Sequence, residues 1–212
     1  MDQAFWQIGP ILPWLDLFGV AVFAATGALA ATHRGQTFVT LAFFALVTGV
    51  GGGTVRDLLI GAPVFWVQDR LYALVCLAVA LAIWVTPQRW WNGAALVWLD
   101  AVGLGAYAVY GAAKALSFGV PLLPAAVMGV FTACVGGIIR DTLAGEPSIL
   151  MRPELYVTAA ALAATLYVGL RWLGLPSFEV ALIAAAAGFG LRAAAIHWKL
   201  GLPTYRGRPN ES

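Results

Sequence analysis

Long apolar runs dominate the chain, separated by short polar turns. Seven of them reach the roughly 20 residues a bilayer crossing needs. They lie at about 12–32, 38–60, 66–85, 94–115, 122–144, 154–173 and 178–198. What remains suffices only for loops and tails, so there is no room for a soluble catalytic domain. The pattern predicts an all-α integral membrane protein with a single membrane domain over 1–212 that is not an enzyme. The nine tryptophans sharpen the boundaries. Trp6, Trp14, Trp66, Trp84, Trp90, Trp91, Trp98, Trp172 and Trp198 all fall near predicted span ends, where an amphipathic indole prefers to sit.

The pattern also repeats. Residues 12–85 and 96–169 align without a gap at a constant offset of 84. Leu12, Trp14, Leu15 and Asp16 return as Leu96, Trp98, Leu99 and Asp100. Gly52-Gly53 returns as Gly136-Gly137, Arg56-Asp57 as Arg140-Asp141, and Leu71-Tyr72 as Leu155-Tyr156. Each copy holds three spans. An odd number makes the second copy enter from the opposite side, which predicts two inverted three-helix repeats about an axis in the membrane plane. The seventh helix, about 178–198, has no counterpart. Its Ala184–Gly188 run and Gly190 suit close helix packing, as between subunits.

Composition agrees: 61% of residues are hydrophobic and 10% charged, where soluble domains carry about 25% charge. The Met1-Asp2-Gln3 start lacks the basic segment of a cleaved signal peptide. Arg70, Lys114 and Arg171 fall on the side of the N-terminus, and Arg34, Arg89, Arg152, Lys199, Arg206 and Arg208 on the other. The positive-inside rule then predicts a multi-pass protein of the cell (inner) membrane, N-terminus outside and C-terminus cytoplasmic. Basic residues are too scattered for a nucleic-acid face. Cys76 and Cys134 read as buried thiols and His33 and His197 as interfacial. Glu146, Glu154 and Glu179 sit near boundaries and offer no buried proton relay. Lys114 reads as snorkelling, and Gly201–Ser212 as a frayed tail. No metal-ligand cluster or cofactor motif is present.

The second and fifth spans carry the strongest chemical signal. One contains Gly51-Gly52-Gly53-Thr54-Val55-Arg56-Asp57, the other Gly136-Gly137-Ile138-Ile139-Arg140-Asp141. Each internal glycine costs a helix about 1 kcal/mol relative to alanine, so a mid-span cluster invites a kink or a break. Freed backbone groups must then face protein or a water-filled cavity, and paired breaks point to a central pathway. The blander reading is a pair of close-packing notches. An arginine at the bilayer centre costs roughly 2.5–3.5 kcal/mol and seeks a partner or a cavity. Residues i and i+1 diverge around a helix, so Asp57 and Asp141 are poor partners for their neighbours. The expected pairs are Asp16–Arg56 and Asp100–Arg140, structural or gating.

These motifs resemble those of the prokaryotic branch of the TRIC family, the trimeric intracellular cation channels. The carriers are Gly51–Asp57 with Gly61-Ala62-Pro63-Val64-Phe65, and Gly136–Asp141 with Gly145-Glu146-Pro147. The resemblance covers about 12–198. It implies seven helices, a homotrimer in membrane lipid, and one pore per protomer for monovalent cations, chiefly potassium. Gly51, Gly52, Gly53, Gly136 and Gly137 become the kink residues of the pore. Arg56 and Arg140, with Asp16, Asp100, Asp57 and Asp141, become pore or gate candidates. Val135 stands opposite Gly51, so the second break is expected to be softer. The same branch is also labelled a glycine transporter family. A channel, a carrier of a small zwitterion and a structural lipid-binding protein therefore all remain readings of the sequence.

Overall fold

The computed structural model describes residues 12–32, 34–91 and 93–203. Among them are eight α-helices: α1 (Leu12–Thr32), α2 (Phe38–Leu59), α3 (Phe65–Gln68), α4 (Arg70–Val85), α5 (Gly93–Ser117), α6 (Leu122–Ala144), α7 (Val157–Trp172) and α8 (Ser177–Trp198). Five are long and apolar enough to cross a membrane: Trp14–Thr32, Phe38–Leu59, Ala94–Ser117, Leu122–Ala144 and Ser177–Trp198. The chain is thus a multi-pass, all-helical membrane protein.

The run expected at 66–85 differs most from expectation. It opens as the four-residue α3 and restarts as α4, because Asp69 leaves helical geometry at φ −131 and caps the new helix by accepting the Leu71 N–H at 2.8 Å. The run at 154–173 shrinks to α7. Both α4 and α7 have 16 residues, about 24 Å of helix at 1.5 Å per residue. Gly35, Gly61, Gly119 and Gly145 take φ between 63 and 78 at the ends of α1, α2, α5 and α6. These are two glycine pairs 84 apart, used alike to turn the chain after a helix.

The interior is built from small side chains. Ala24, Ala28, Ala108, Ala112, Ala125, Ala133, Ala160 and Ala164 are buried, whereas Phe18, Phe43, Leu74, Phe131 and Ile183 face outward. Lipid is as apolar as leucine, so helices associate through close packing of small residues while bulky ones face the tails. Cys76 and Cys134 are buried free thiols. Trp14, Trp84, Trp90, Trp172 and Trp198 are more than half or about half exposed. Trp66 and Trp91 instead turn inward, donating to the Thr54 and Thr86 hydroxyls at 3.0 and 2.7 Å.

One further expectation changes. The tail begins ordered, since the Leu202 N–H donates to the Pro153 carbonyl at 2.7 Å. His197 lies in the last turn of α8. Trp6, His33, Arg206, Arg208, the N-terminal tripeptide and the tail beyond Pro203 lie outside the described residues.

Candidate functional site

Helix α2 crosses α6 at the glycines, and neither helix breaks there. Both are continuous α-helix through Gly51-Gly52-Gly53 and Gly136-Gly137. Neither glycine cluster interrupts its helix, so the expected break is absent, and the missing side chains are used for close approach. A Cβ on Gly52 would lie 2.2 Å from the Thr132 carbonyl oxygen, and one on Gly136 would lie 2.5 Å from that of Thr48. Thr48 and Thr132 are themselves 84 apart, so the two contacts are reciprocal. Gly51 faces the Ile139 side chain, Gly53 the Phe65 ring, and Gly137 the Tyr156 hydroxyl.

A buried cluster of charge lies beyond each side of the crossing. The first gathers Asp16 of α1, Arg56 and Asp57 of α2, and Lys114 of α5, none more than 8% exposed. Arg56 Nε donates to Asp57 Oδ1 at 2.8 Å, and Lys114 Nζ lies 2.8 Å from that oxygen. The second carboxylate oxygen of Asp57 accepts Lys114 Nζ at 2.9 Å and the Phe65 N–H at 3.0 Å. The Arg56 guanidinium stands 5.0 Å from the Tyr110 ring centre and 5.8 Å from that of Phe65.

Three expectations fail in this cluster. Asp16 forms no ion pair with Arg56 within 4 Å; it accepts the Tyr72 hydroxyl at 3.0 Å instead. Arg56 turns to its own neighbour, which sequence spacing had disfavoured. A guanidinium at the end of a long flexible stem can fold back to a short carboxylate near the helix end, where Cβ directions no longer decide contact. Lys114 does not snorkel. A membrane-buried carboxylate already accepting from an arginine and an amide leaves it a charge partner inside.

The second cluster gathers Asp100 of α5, Arg140 and Asp141 of α6, and Arg192 of α8. Arg140 Nη1 reaches Asp100 Oδ1 at 2.6 Å, the expected pair, and Nε reaches Asp141 Oδ1 at 2.9 Å. Asp141 Oδ2 accepts the Ile149 N–H at 3.0 Å, as Asp57 accepts Phe65. Arg192 Nη2 donates to Glu154 at 2.6 Å, and its guanidinium lies 5.3 Å from the Tyr156 ring centre. These side chains border a cavity of about 200 Å³. Its arginines are Arg34, Arg140, Arg152 and Arg192, and its acids Asp100, Asp141, Glu146 and Glu154. Arg34 and Glu146 pair across its mouth.

Helices α1 and α5 each reach both clusters. Asp16 and Asp100 sit toward the start of their helices, Ala30 and Lys114 toward the end, about 21 Å apart along each helix. Sequence reading missed the roles of Lys114, Arg192 and the three tyrosines Tyr72, Tyr110 and Tyr156. Arg192 was legible by the rule that singled out Arg56 and Arg140, being a charge inside a span. Lys114's partner became visible only in three dimensions. Among the described residues no group of three or more His, Cys, Asp or Glu side chains forms a metal site.

The chain compares closely with known proteins. A family model described as "Glycine transporter" matches it twice, over residues 13–88 and 97–172. A UPF0126 membrane protein of Vibrio cholerae is 37% identical over 201 residues, covering 92% of this chain and 83% of the relative. The UPF0126 inner membrane protein YadS of Escherichia coli K12 is 36% identical over 199 residues, covering 91% and 95%. The solved TRIC trimeric intracellular cation channel orthologue of Rhodobacter sphaeroides is 42% identical, with a TM-score of 0.84 over 90% of this chain and 99% of that one.

Proposed function

Because the chain belongs to the prokaryotic TRIC family, the one whose sequence model is described as glycine transporter, we propose that it is a cation channel. Its permeant species are monovalent cations, chiefly potassium. It works as a homotrimer in the inner membrane, each protomer holding one pore lined by α2 and α6. Seven membrane elements form two inverted three-helix repeats plus α8, with α3 and α4 together making the third. The N-terminus lies outside and the C-terminus in the cytoplasm. Burial of Lys114 and Arg171 supports this orientation, since it removes both from the loop charges on the N-terminal side.

One observation carries the reading: the glycine crossing has a buried, charge-bearing cluster on each side of it. Gly51, Gly52, Gly53, Gly136 and Gly137 line the narrowest part as notches. Arg56, Asp57 and Asp16 form one gate, and Arg140, Asp141 and Asp100 the other. Carboxylates beside the path lower the barrier for a cation, and each arginine holds its carboxylate until the gate rearranges. The test is purified protein in a planar bilayer under a potassium gradient. Unitary currents reversing near the potassium potential, altered by Gly52→Ala, are expected. A silent bilayer in which the protein is folded would remove the channel reading.

The second reading is a carrier of a small zwitterion such as glycine. The observation favouring it is a cavity that carries equal numbers of arginines and carboxylates. Saturable uptake of labelled glycine into liposomes, without unitary currents, would select it.

A further inference from the structure

Unmet hydrogen-bonding capacity of both signs occurs in both clusters, at Asp16 Oδ1 and Arg56 Nη1 in the first and at Asp100 and Arg192 in the second, but in the second it borders a cavity. Arg192 is 1% exposed, and only its Nη2 has a partner, Glu154; Nε and Nη1 have none. Asp100 is 2% exposed; its Oδ1 holds Arg140, while its Oδ2 has no partner. The Tyr156 hydroxyl, also buried, is unpartnered. A buried donor or acceptor left unpaired costs about 1–3 kcal/mol, more when charged. Unpaired cationic donors and an unpaired anionic acceptor on one small cavity are complementary to a molecule that carries both charges.

We propose that this cavity is a binding site for a small zwitterion of the α-amino-acid class, with its carboxylate on Arg192 and its ammonium on Asp100. The lining balances four arginines against four carboxylates, so a ligand with no net charge but separated poles suits it better than a bare ion of either sign. At about 200 Å³ the space lies below the usual 300–1,000 Å³ of drug-sized pockets, which limits the ligand to a few non-hydrogen atoms. The Arg34–Glu146 pair at the mouth can part to admit it, since both side chains are about half exposed. Arg192 lies on α8, outside the duplicated segments, so the first cluster has no counterpart of this site.

The site does not depend on the channel reading, and it gives the carrier reading a location. The experiment is equilibrium dialysis of the full-length protein in lipid nanodiscs with labelled glycine. Saturable binding is expected, and acetate and methylammonium, separately or together, should not displace the label. Arg192→Gln should weaken binding tenfold or more. Ala30→Leu, which fills the cavity from α1 without removing a charge, should do the same and guards against misfolding of the first variant. Acetate competing as well as glycine would overturn the proposal, as would glycine binding unchanged in Ala30→Leu, or no binding at all. Liposome uptake separates the two ideas. Glycine uptake that survives both variants sinks this site and keeps the carrier. Binding without uptake keeps the site and sinks the carrier.

Discussion

Asp57 and Asp141 occupy equivalent places in the two copies and begin alike. Each accepts the backbone N–H eight residues on at 3.0 Å, and each holds the arginine before it at 2.8–2.9 Å. Their surroundings then part. Asp57 also binds Lys114, which fills the space beside it, whereas the position 84 before Lys114 is Ala30, whose methyl leaves the cavity beside Asp141 open. The carboxylates on α1 and α5 part as well. Asp100 takes an arginine, while Asp16 takes the Tyr72 hydroxyl and leaves Arg56 Nη1 without a partner. One duplicated motif thus supports a filled cluster and an open one. The difference comes from a single lysine-for-alanine exchange and from α8, neither of which the motif contains. Duplication supplies two similar frames, and residues outside the motif decide which is closed.

The comparison can be broken first at the carboxylates. Asp57→Ala strands two buried cations, so it should destabilise the protein by about 3–5 kcal/mol. Asp141→Ala should cost less, because Arg140 retains Asp100. Thermal unfolding in detergent reads the difference, and equal losses would remove the asymmetry. The second perturbation exchanges the deciding residues. Lys114→Ala should open the first cluster and raise flux severalfold, while Ala30→Lys should fill the second cavity and lower flux by a similar factor. Potassium flux from loaded liposomes checks both, and a pair that leaves flux unchanged would show that neither space limits conduction. Third, Gly52→Ala and Gly136→Ala should cost about the same, roughly 1–3 kcal/mol each, because each new methyl meets a carbonyl of the facing helix. A twofold discrepancy in unfolding energies would show that the crossing is not reciprocal. The smallest effect lies at the tyrosines. Tyr72→Phe removes a hydrogen bond to a carboxylate and should cost about 1–2 kcal/mol, whereas Tyr156→Phe should be neutral or stabilising, because it removes a buried hydroxyl that has no partner. Tyr156→Phe costing as much as Tyr72→Phe would equalise the two clusters.

Much of this fold was legible in the sequence because lipid punishes exposed backbone. Apolar runs therefore map onto helices nearly residue for residue, as at Phe38–Leu59 and Leu122–Ala144. The glycines and Arg-Asp pairs were legible through their recurrence. Their use was not. A glycine cluster is compatible with an interrupted or a continuous helix, and what it packs against depended on Thr48 and Thr132 lying across the interface. Likewise, local spacing argued against Arg56–Asp57 and Arg140–Asp141, and the reach of the arginine stem overrode it.

By itself, then, the sequence determined the membrane class, most of the helix positions, the repeat, and which residues would be costly to bury. These follow from transfer free energies and period alone. Only the tertiary structure decided which charges meet and where space remains. It brought Lys114 to Asp57, left Ala30 beside Asp141, and carried Arg192 on α8 to Glu154. Those outcomes depend on distances between segments remote in the chain, which no local pattern encodes.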